Sequence, residues 1–489
     1  MTTGAQERLG HRAARGALVT LVAQGLKILV QLASVVLLAR LLTPHDYGLI
    51  AMVLAVIGIG EIFRDFGLSS AAIQSPTLSR EQRSALFWIN GAIGTGLALL
   101  VILLAPLVAA FYSQPDLEPI ARLLAPVFVA NGFATQYRAS LVRELRFRSL
   151  AIADIGSALV GLASAAGAAL LGAGVMALVL QQLAQAACLL LLLTVSSHWL
   201  PGLPRRGAPV RQFLGFGGNL VGSQLVGYVA NNLDTVIIGL RFGAAPLGIY
   251  SRAFQLLMTP LNQIRSPLTS VALPVLSRLA DDPQRFNRYV QAGQRALGYS
   301  LVAVLALVAA AAESITTVLL GDQWLAAAPV LRLLAIAGIF QTLAFVGYWV
   351  YLARGLTRDL LQYSILSAII RIVILLTASQ WGVIGVAVGY AIAPAVSWPI
   401  SLWWLSRRSG VAVRPLYSGA ARILGCAVLG GAASWGAAQG AAPLGPAVQL
   451  VAATLALTAC YAALVLLPPI RRDAGEVVQL LRQLRSRAA

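Results

Sequence analysis

Between residues 16 and 468 the sequence returns repeatedly to apolar runs of about 20 residues or more, the length a helix needs to cross a bilayer core. In lipid every backbone amide and carbonyl must find its partner inside the protein, so runs of this length dictate helices. Bounded by charge or by Gly and Pro, they number about fourteen: 16–40, 46–72, 84–111, 118–140, 148–170, 174–196, 211–240, 246–278, 290–312, 327–352, 358–378, 382–405, 416–437 and 446–468. The 489 residues are 58% hydrophobic and 11% charged, with a mean hydropathy of +0.80. A soluble chain has neither the core to hide that apolar surface nor the polar groups to cover it. The expected fold class is an all-α integral membrane protein.

The connections between runs fall into two alternating sets. One carries Arg80 and Arg83; Arg138, Arg143, Arg146 and Arg148; Arg205, Arg206 and Arg211; Arg278, Arg285 and Arg288; Arg354 and Arg358; and Arg407, Arg408 and Arg414. The other, with stretches such as "SQPDLEP", "LGAG" and "SQWG", is nearly free of base. The positive-inside rule then places the first set and both termini in the cytoplasm, and strict alternation asks for an even number of spans. The net charge of +19 is therefore an orientation signal, and no nucleic-acid partner is expected. Cys188, Cys426 and Cys460 lie in apolar runs without paired spacing, and His11, His45 and His198 form no ligand pattern, so no metal site is expected. There is no Walker A sequence, no catalytic carboxylate pair and no connection long enough to hold a catalytic domain. The expectation is a protein that is not an enzyme and carries no cofactor.

Sliding the chain by 200 residues without a gap superposes Gln24 on Gln224, Gln31 on Asn231, Gly48 on Gly248, and "LSSAAI" from Leu68 on "LTSVAL" from Leu268. A slide of 210 superposes "PIARLLA" from Pro119 on "PVLRLLA" from Pro329. Polar and glycine matches in register point to an internal repeat. An even number of spans separates equivalent positions, so the repeats run parallel, which implies two six-helix lobes related by an axis along the membrane normal. The expected division is residues 1–205 and 206–410 for the lobes, 411–470 for two additional helices, and 471–489 for a basic cytoplasmic tail.

Charges inside membrane helices are tolerated where they face protein or a hydrated cavity; each costs about 2.5–3.5 kcal/mol at a helix centre. The first span carries Thr20, Gln24, Lys27, Gln31 and Ser34 at helical spacing along one stripe. Its repeat partner carries Gln224, Asn231 and Asp234. The next span adds Arg252, Asn262, Gln263 and Arg265, together with Pro260, Pro267 and Pro274, which weaken one face of that helix. In the second span "GIGEIFRDFG" brings Glu61, Arg64 and Asp65 within about one turn, where mutual pairing lowers the cost of burial. The candidate set for binding an anionic headgroup is Lys27, Arg64, Arg252 and Arg265, with Gln24, Gln31, Gln224 and Asn231 beside them. Asp234, Glu61 and Asp65 are the candidates for gating or for coupling to protons or sodium. The cationic excess suits a phosphate or pyrophosphate; structural ion pairs within the bundle are the competing account. Elsewhere, Arg122 and Arg332 read as interfacial anchors.

"LLARLLTPHDYGLIAM" (Leu37 to Met52) followed by "FRDFGLSSAAIQ" (Phe63 to Gln74) resembles the opening of Wzx-type polysaccharide flippases. These belong to the MOP exporter superfamily, together with MATE drug antiporters and peptidoglycan lipid flippases. The residues carrying the resemblance are Ala39, Arg40, Leu42, Pro44, Tyr47 and Gly48, then Asp65, Gly67, Ala71, Ile73 and Gln74. It implies a V-shaped pair of lobes that moves an undecaprenyl-pyrophosphate-linked oligosaccharide across the bacterial inner membrane by alternating access. Cavity cations would meet the pyrophosphate, and a polysaccharide polymerase and chain-length proteins are candidate partners. Arg64 stands where a small polar residue is expected. The alternatives are a MATE-like multidrug antiporter, which favours an acidic cavity, and a membrane-embedded polymerase or ligase, for which no catalytic segment is present.

Overall fold

The computed structural model describes residues 3–65, 79–203 and 211–476. The side chain of Asp65, the motif residues Gly67 to Gln74, the linker 204–210 and the tail from 477 onward lie outside the described residues. The described chain is helical throughout, without strands. Among the described residues, eleven segments are long and apolar enough to cross a membrane. The chain divides into two compact units, Met1–Ser251 and Arg252–Ala489.

The first unit holds α1 (Thr3–Leu41), α2 (Pro44–Asp65), α3 (Arg80–Tyr112), α4 (Leu117–Leu124), α5 (Pro126–Arg143), α6 (Phe147–Leu170), α7 (Val175–Ser197) and α8 (Arg211–Phe242). α9 (Ala244–Arg278) begins in this unit and continues into the second. The start of α3 follows from its sequence. Ser79 accepts from the Gln82 amide at 3.1 Å and the Gln82 side chain accepts from the Ser79 amide at 3.0 Å, a reciprocal cap for two otherwise orphan donors. The run 118–140, expected as one span, is one apolar segment, Leu117–Arg143, in which two helices meet at Ala125 ahead of Pro126. α6 and α7 pair along their length, α1 lies against α6, and α3 against α5. The core between α3, α5, α6 and α7 is aromatic: Phe87, Phe133, Tyr137 and Trp199 meet edge-on or tilted, and the Arg83 guanidinium lies 4.1 Å from the Trp199 ring centre.

Two helix starts in this unit touch backbone to backbone. A Cβ on Gly48 would strike the carbonyl oxygen of Ala244, and one on Gly248 would strike that of Pro44. Residues 44 and 244, like 48 and 248, are 200 apart, so the contact is reciprocal under the sequence repeat. Only residues without side chains permit this approach, which explains glycine at both positions.

The second unit continues with α10 (Pro283–Leu297), a π-turn at Gly298–Val302, α11 (Ala303–Ala310), α12 (Ala312–Leu319), α13 (Ala328–Ala353), α14 (Thr357–Ala378), α15 (Gly382–Arg408), α16 (Val413–Gly440) and α17 (Pro446–Leu464). α13, the most buried of the apolar segments, packs on α11 and α15. α16 and α17 form a hairpin that leans on α11, α10 and α12. α9 stays helical from Ala244 to Arg278 through Pro260, Pro267 and Pro274. Many large apolar side chains point away from the bundle, among them Leu103 (73% exposed), Leu191 (62%) and Leu455 (64%), as a lipid-facing surface requires.

Candidate functional site

Arg265 is the most informative of the expected site residues. It lies midway along α9 and is 8% exposed. Its Nη1 donates to Gln341 Oε1 at 3.1 Å and Asn262 Oδ1 at 3.3 Å. Its Nη2 donates to Thr342 Oγ1 at 3.1 Å and, at 3.4 Å, to the Gly338 carbonyl. Phe345 adds a ring face, its centroid 5.6 Å from the guanidinium carbon. All these acceptors are neutral, no carboxylate pairs with Arg265 among the described residues, and its buried Nε is left without a partner. A buried guanidinium in that state is left without a counter-charge, which a phosphate entering beside it would supply. Gln341 and Thr342 were not among the residues singled out from the sequence. Their signal is a polar pair inside the apolar run "AIAGIFQTLAFV" of α13.

Arg64 is placed differently. Its Nε pairs with Glu61 Oε2 at 2.7 Å, and its Nη1 donates to the Asn131 carbonyl at 3.1 Å and to Thr135 Oγ1. Asn131 in turn donates to Glu61 Oε1 at 3.1 Å. Glu61 and Arg64 thus form a bracket between α2 and α5, with the guanidinium balanced by a carboxylate. Asn131 and Thr135, four residues apart in the apolar α5, complete it.

Lys27, Gln24 and Gln31 are half-buried on α1. Ser34, from the same stripe, accepts a hydrogen bond from Gln181 of α7 at 2.9 Å and so serves helix packing. Gln224 and Asn231 are exposed on α8, whereas Asp234 is 2% exposed and accepts from the Tyr250 hydroxyl at 2.5 Å. Arg252 is buried in the second unit and donates to Gln255. The two expected anchors each take a local acid: Arg122 pairs with Glu118 at 2.6 Å and Arg332 with Glu313 at 3.2 Å.

A buried network that sequence reasoning did not find lies at the end of the second unit. Asp473, 3% exposed, receives Arg295 Nε at 3.1 Å, Arg422 Nε at 2.8 Å and the Tyr299 hydroxyl at 3.0 Å. Glu476 caps the other side of Arg295. The helical residues 468–476 are thereby tied to α10 and α16. Among the described residues, no group of His, Cys, Asp and Glu is arranged to hold a metal.

The fold is an all-helical membrane bundle with a buried arginine that faces neutral oxygens. Residues 37–329, more than half of the chain, match the family model described as "Polysaccharide biosynthesis protein", and the chain belongs to that family. It is 29% identical over 358 residues to the teichuronic acid biosynthesis protein TuaB of Bacillus subtilis (strain 168), covering 71% of this chain and 72% of the relative. It is 24% identical over 377 residues to the lipopolysaccharide biosynthesis protein WzxC of Escherichia coli (strain K12), covering 75% of each. In fold it matches a lipid II flippase MurJ in an inward closed conformation with a TM-score of 0.70 and 13% identity, covering 92% of this chain and 99% of that one. An inward-facing MATE family multidrug transporter of the MOP superfamily matches at 0.61 with 14% identity, covering 80% and 98%.

Proposed function

We propose that this protein is a flippase that carries a polyprenyl-pyrophosphate-linked oligosaccharide across the bacterial inner membrane for surface polysaccharide synthesis. It works by alternating access in a fourteen-span, two-lobed arrangement with both termini in the cytoplasm, and it catalyses no bond-making step. The observation that carries the reading is Arg265, a buried cation held by neutral oxygens, with no carboxylate paired to it among the described residues. Lys27 and Arg252 join it in meeting the pyrophosphate, Arg64, first a candidate for the same role, instead holds α2 to α5 through its bracket with Glu61, and Gln24, Gln31, Gln224 and Asn231 meet the sugars. Asp234 links transport to protons or sodium, and a polysaccharide polymerase with its chain-length partner receives the product. A basic site of this kind suits an anionic lipid carrier and disfavours cationic drugs.

The test is transport of a fluorescent polyprenyl-pyrophosphate oligosaccharide in vesicles containing the purified protein. Arg265→Ala is expected to lower the rate about 10- to 100-fold, the equivalent of one charge-assisted hydrogen bond of about 1.5–3 kcal/mol, with the protein still monodisperse. Arg265→Lys, which keeps charge but loses the fork, is expected to fall between the two. Wild-type rates in Arg265→Ala would overturn the assignment. In cells, deletion of the gene is expected to remove the surface polysaccharide while lipid-linked precursor accumulates.

A further inference from the structure

Beyond its first turn α14 carries a single charge, Arg371, which the site described above does not use. The exposed apolar row of this helix is Leu361, Ile365, Ile369, Val373 and Leu376, the side that meets lipid. Arg371 is two residues from both Ile369 and Val373, so it lies on the far side of the helix, where it is half-buried. A polar row at spacing four turns that side inward. Tyr363 donates to the Ser397 carbonyl at 3.2 Å and Ser367 to Ser397 Oγ at 3.3 Å. One turn further on, the Arg371 guanidinium carbon lies 5.8 Å from the centre of the Tyr390 ring on α15. An arginine within a membrane span is costly and is retained where it faces protein or a hydrated path.

Tyr390 joins Arg371 to the helix that carries Arg265. Its ring is buried, and Phe254 of α9 meets it edge-on, 5.8 Å between centres at 80°. The Tyr390 hydroxyl also lies within electrostatic range of Arg265. Arg265 sits level with Gly338 and Gln341 of α13, and Phe340 between them meets Trp398 of α15 at 6.4 Å. Tyr390 precedes Trp398 by eight residues, about 12 Å, on the side away from Arg407 and Arg408. By the positive-inside rule that is the outer side. Long side chains lean toward the N-terminus of their helix. Arg265, on the inward-running α9, therefore leans outward, and Arg371, on the outward-running α14, leans inward. The second unit holds two cations about two helical turns apart in depth that converge on one tyrosine.

We propose that Arg371, set over Tyr390, is an outer station for the pyrophosphate, to which the headgroup passes from Arg265 on its way across; the inference rests on the flippase reading. A ring face orients a guanidinium without cancelling its charge, so Arg371 can still take a phosphate oxygen. Arg265 is buried and Arg371 only half-buried, so the outer cation is the better hydrated and the weaker of the two. Passage through successive sites, the last of them weaker, lets a charged group leave as well as enter.

The experiment separates binding from movement in the full-length protein with one probe, a fluorescent polyprenyl-pyrophosphate oligosaccharide. Binding is titrated in detergent and transport is followed in vesicles. Arg371→Met keeps an apolar stem but removes the charge. It is expected to bind the probe within about twofold of wild type while transport falls about tenfold. Arg371→Gln, neutral but polar, is expected to behave in the same way, and Arg371→Lys, which restores a cation over the ring, to recover most of the transport. Arg265→Ala is expected to lose binding and transport together. Wild-type transport in Arg371→Met and Arg371→Gln would overturn the inference, as would a loss of binding as large as that of Arg265→Ala. A lowered heating midpoint with the ratio of transport to binding unchanged would make Arg371 a tie between α14 and α15 and overturn it too. Each of these results leaves the flippase reading standing, because the wild-type protein still moves the probe. A wild-type protein that moves no probe overturns that reading and the outer station with it.

Discussion

Asp473→Asn removes a negative charge from between two arginines while leaving the shape of the side chain almost unchanged. In the native unit Asp473 is 3% exposed and accepts from Arg295, Arg422 and Tyr299. The Arg295 side chain is 10% exposed, so its charge is poorly hydrated, whereas that of Arg422 is 32% exposed and recovers part of its solvation from water. Breaking a buried pair by removing one partner costs about 3–5 kcal/mol, because the remaining charge stays buried without compensation. Glu476 still faces Arg295, which places the loss near the lower end, about 3 kcal/mol. For a unit of this size that corresponds to a fall in midpoint of about 6–12 °C. The assay is the fraction of detergent-solubilised protein that remains monodisperse after heating. A companion variant, Asp473→Leu with Arg295→Met and Arg422→Leu, removes the charges together and is expected to recover most of the loss. A midpoint for Asp473→Asn within about 2 °C of wild type would show the network to be hydrated and would refute the reasoning.

Other positions make independent predictions. Gly48→Ala and Gly248→Ala place a Cβ against a backbone carbonyl and are expected to cost about 1–3 kcal/mol each in the same heating assay; Gly96→Ala, with nothing within 4 Å, is the neutral control. Glu61→Gln leaves Arg64 its hydrogen bonds to Asn131 and Thr135, and because the pair is 35% and 20% exposed the loss is expected to be about 1 kcal/mol or less; a loss several times larger would mark the bracket as dry. Asp234→Asn is expected to remove the dependence of transport on the proton or sodium gradient, with Tyr250→Phe weakening it through loss of the 2.5 Å contact; unchanged ion dependence in Asp234→Asn would exclude this carboxylate as the coupling site.

What was legible in the sequence follows from the range of the physics involved. Lipid forbids unpaired backbone, so the apolar runs had to be helices, and fold class could be read directly. The Glu61–Arg64 pair was equally legible, since three residues of helix bring the two side chains together whatever else the chain does. The break at Ala125 was missed because hydropathy alone does not register a helix restarted by Pro126. The oxygens around Arg265 lie 73 to 77 residues away on α13, and Arg422 meets Asp473 across 51 residues. Polar groups in an apolar run announce that a partner exists without naming it.

The repeat narrows that gap only in part. Superposing residue 65 on 265 places Asp65 opposite Arg265, and the symmetry itself gives no reason for the change of sign. The surroundings of the second position supply one. Arg265 sits against Gln341, Thr342 and a backbone carbonyl, acceptors that suit a cation but do not neutralise it. In the first unit the neighbouring cation, Arg64, is already balanced by Glu61. Equivalent stretches have therefore diverged: the cation of one joins α2 to α5, and that of the other faces neutral oxygens with no carboxylate paired to it among the described residues. If that division is right, Glu61→Gln and Arg265→Ala must separate in their effects, the first lowering the heating midpoint and the second the transport rate. Loss of transport without loss of stability in Glu61→Gln would place both arginines in the same role and remove the asymmetry on which the headgroup assignment rests.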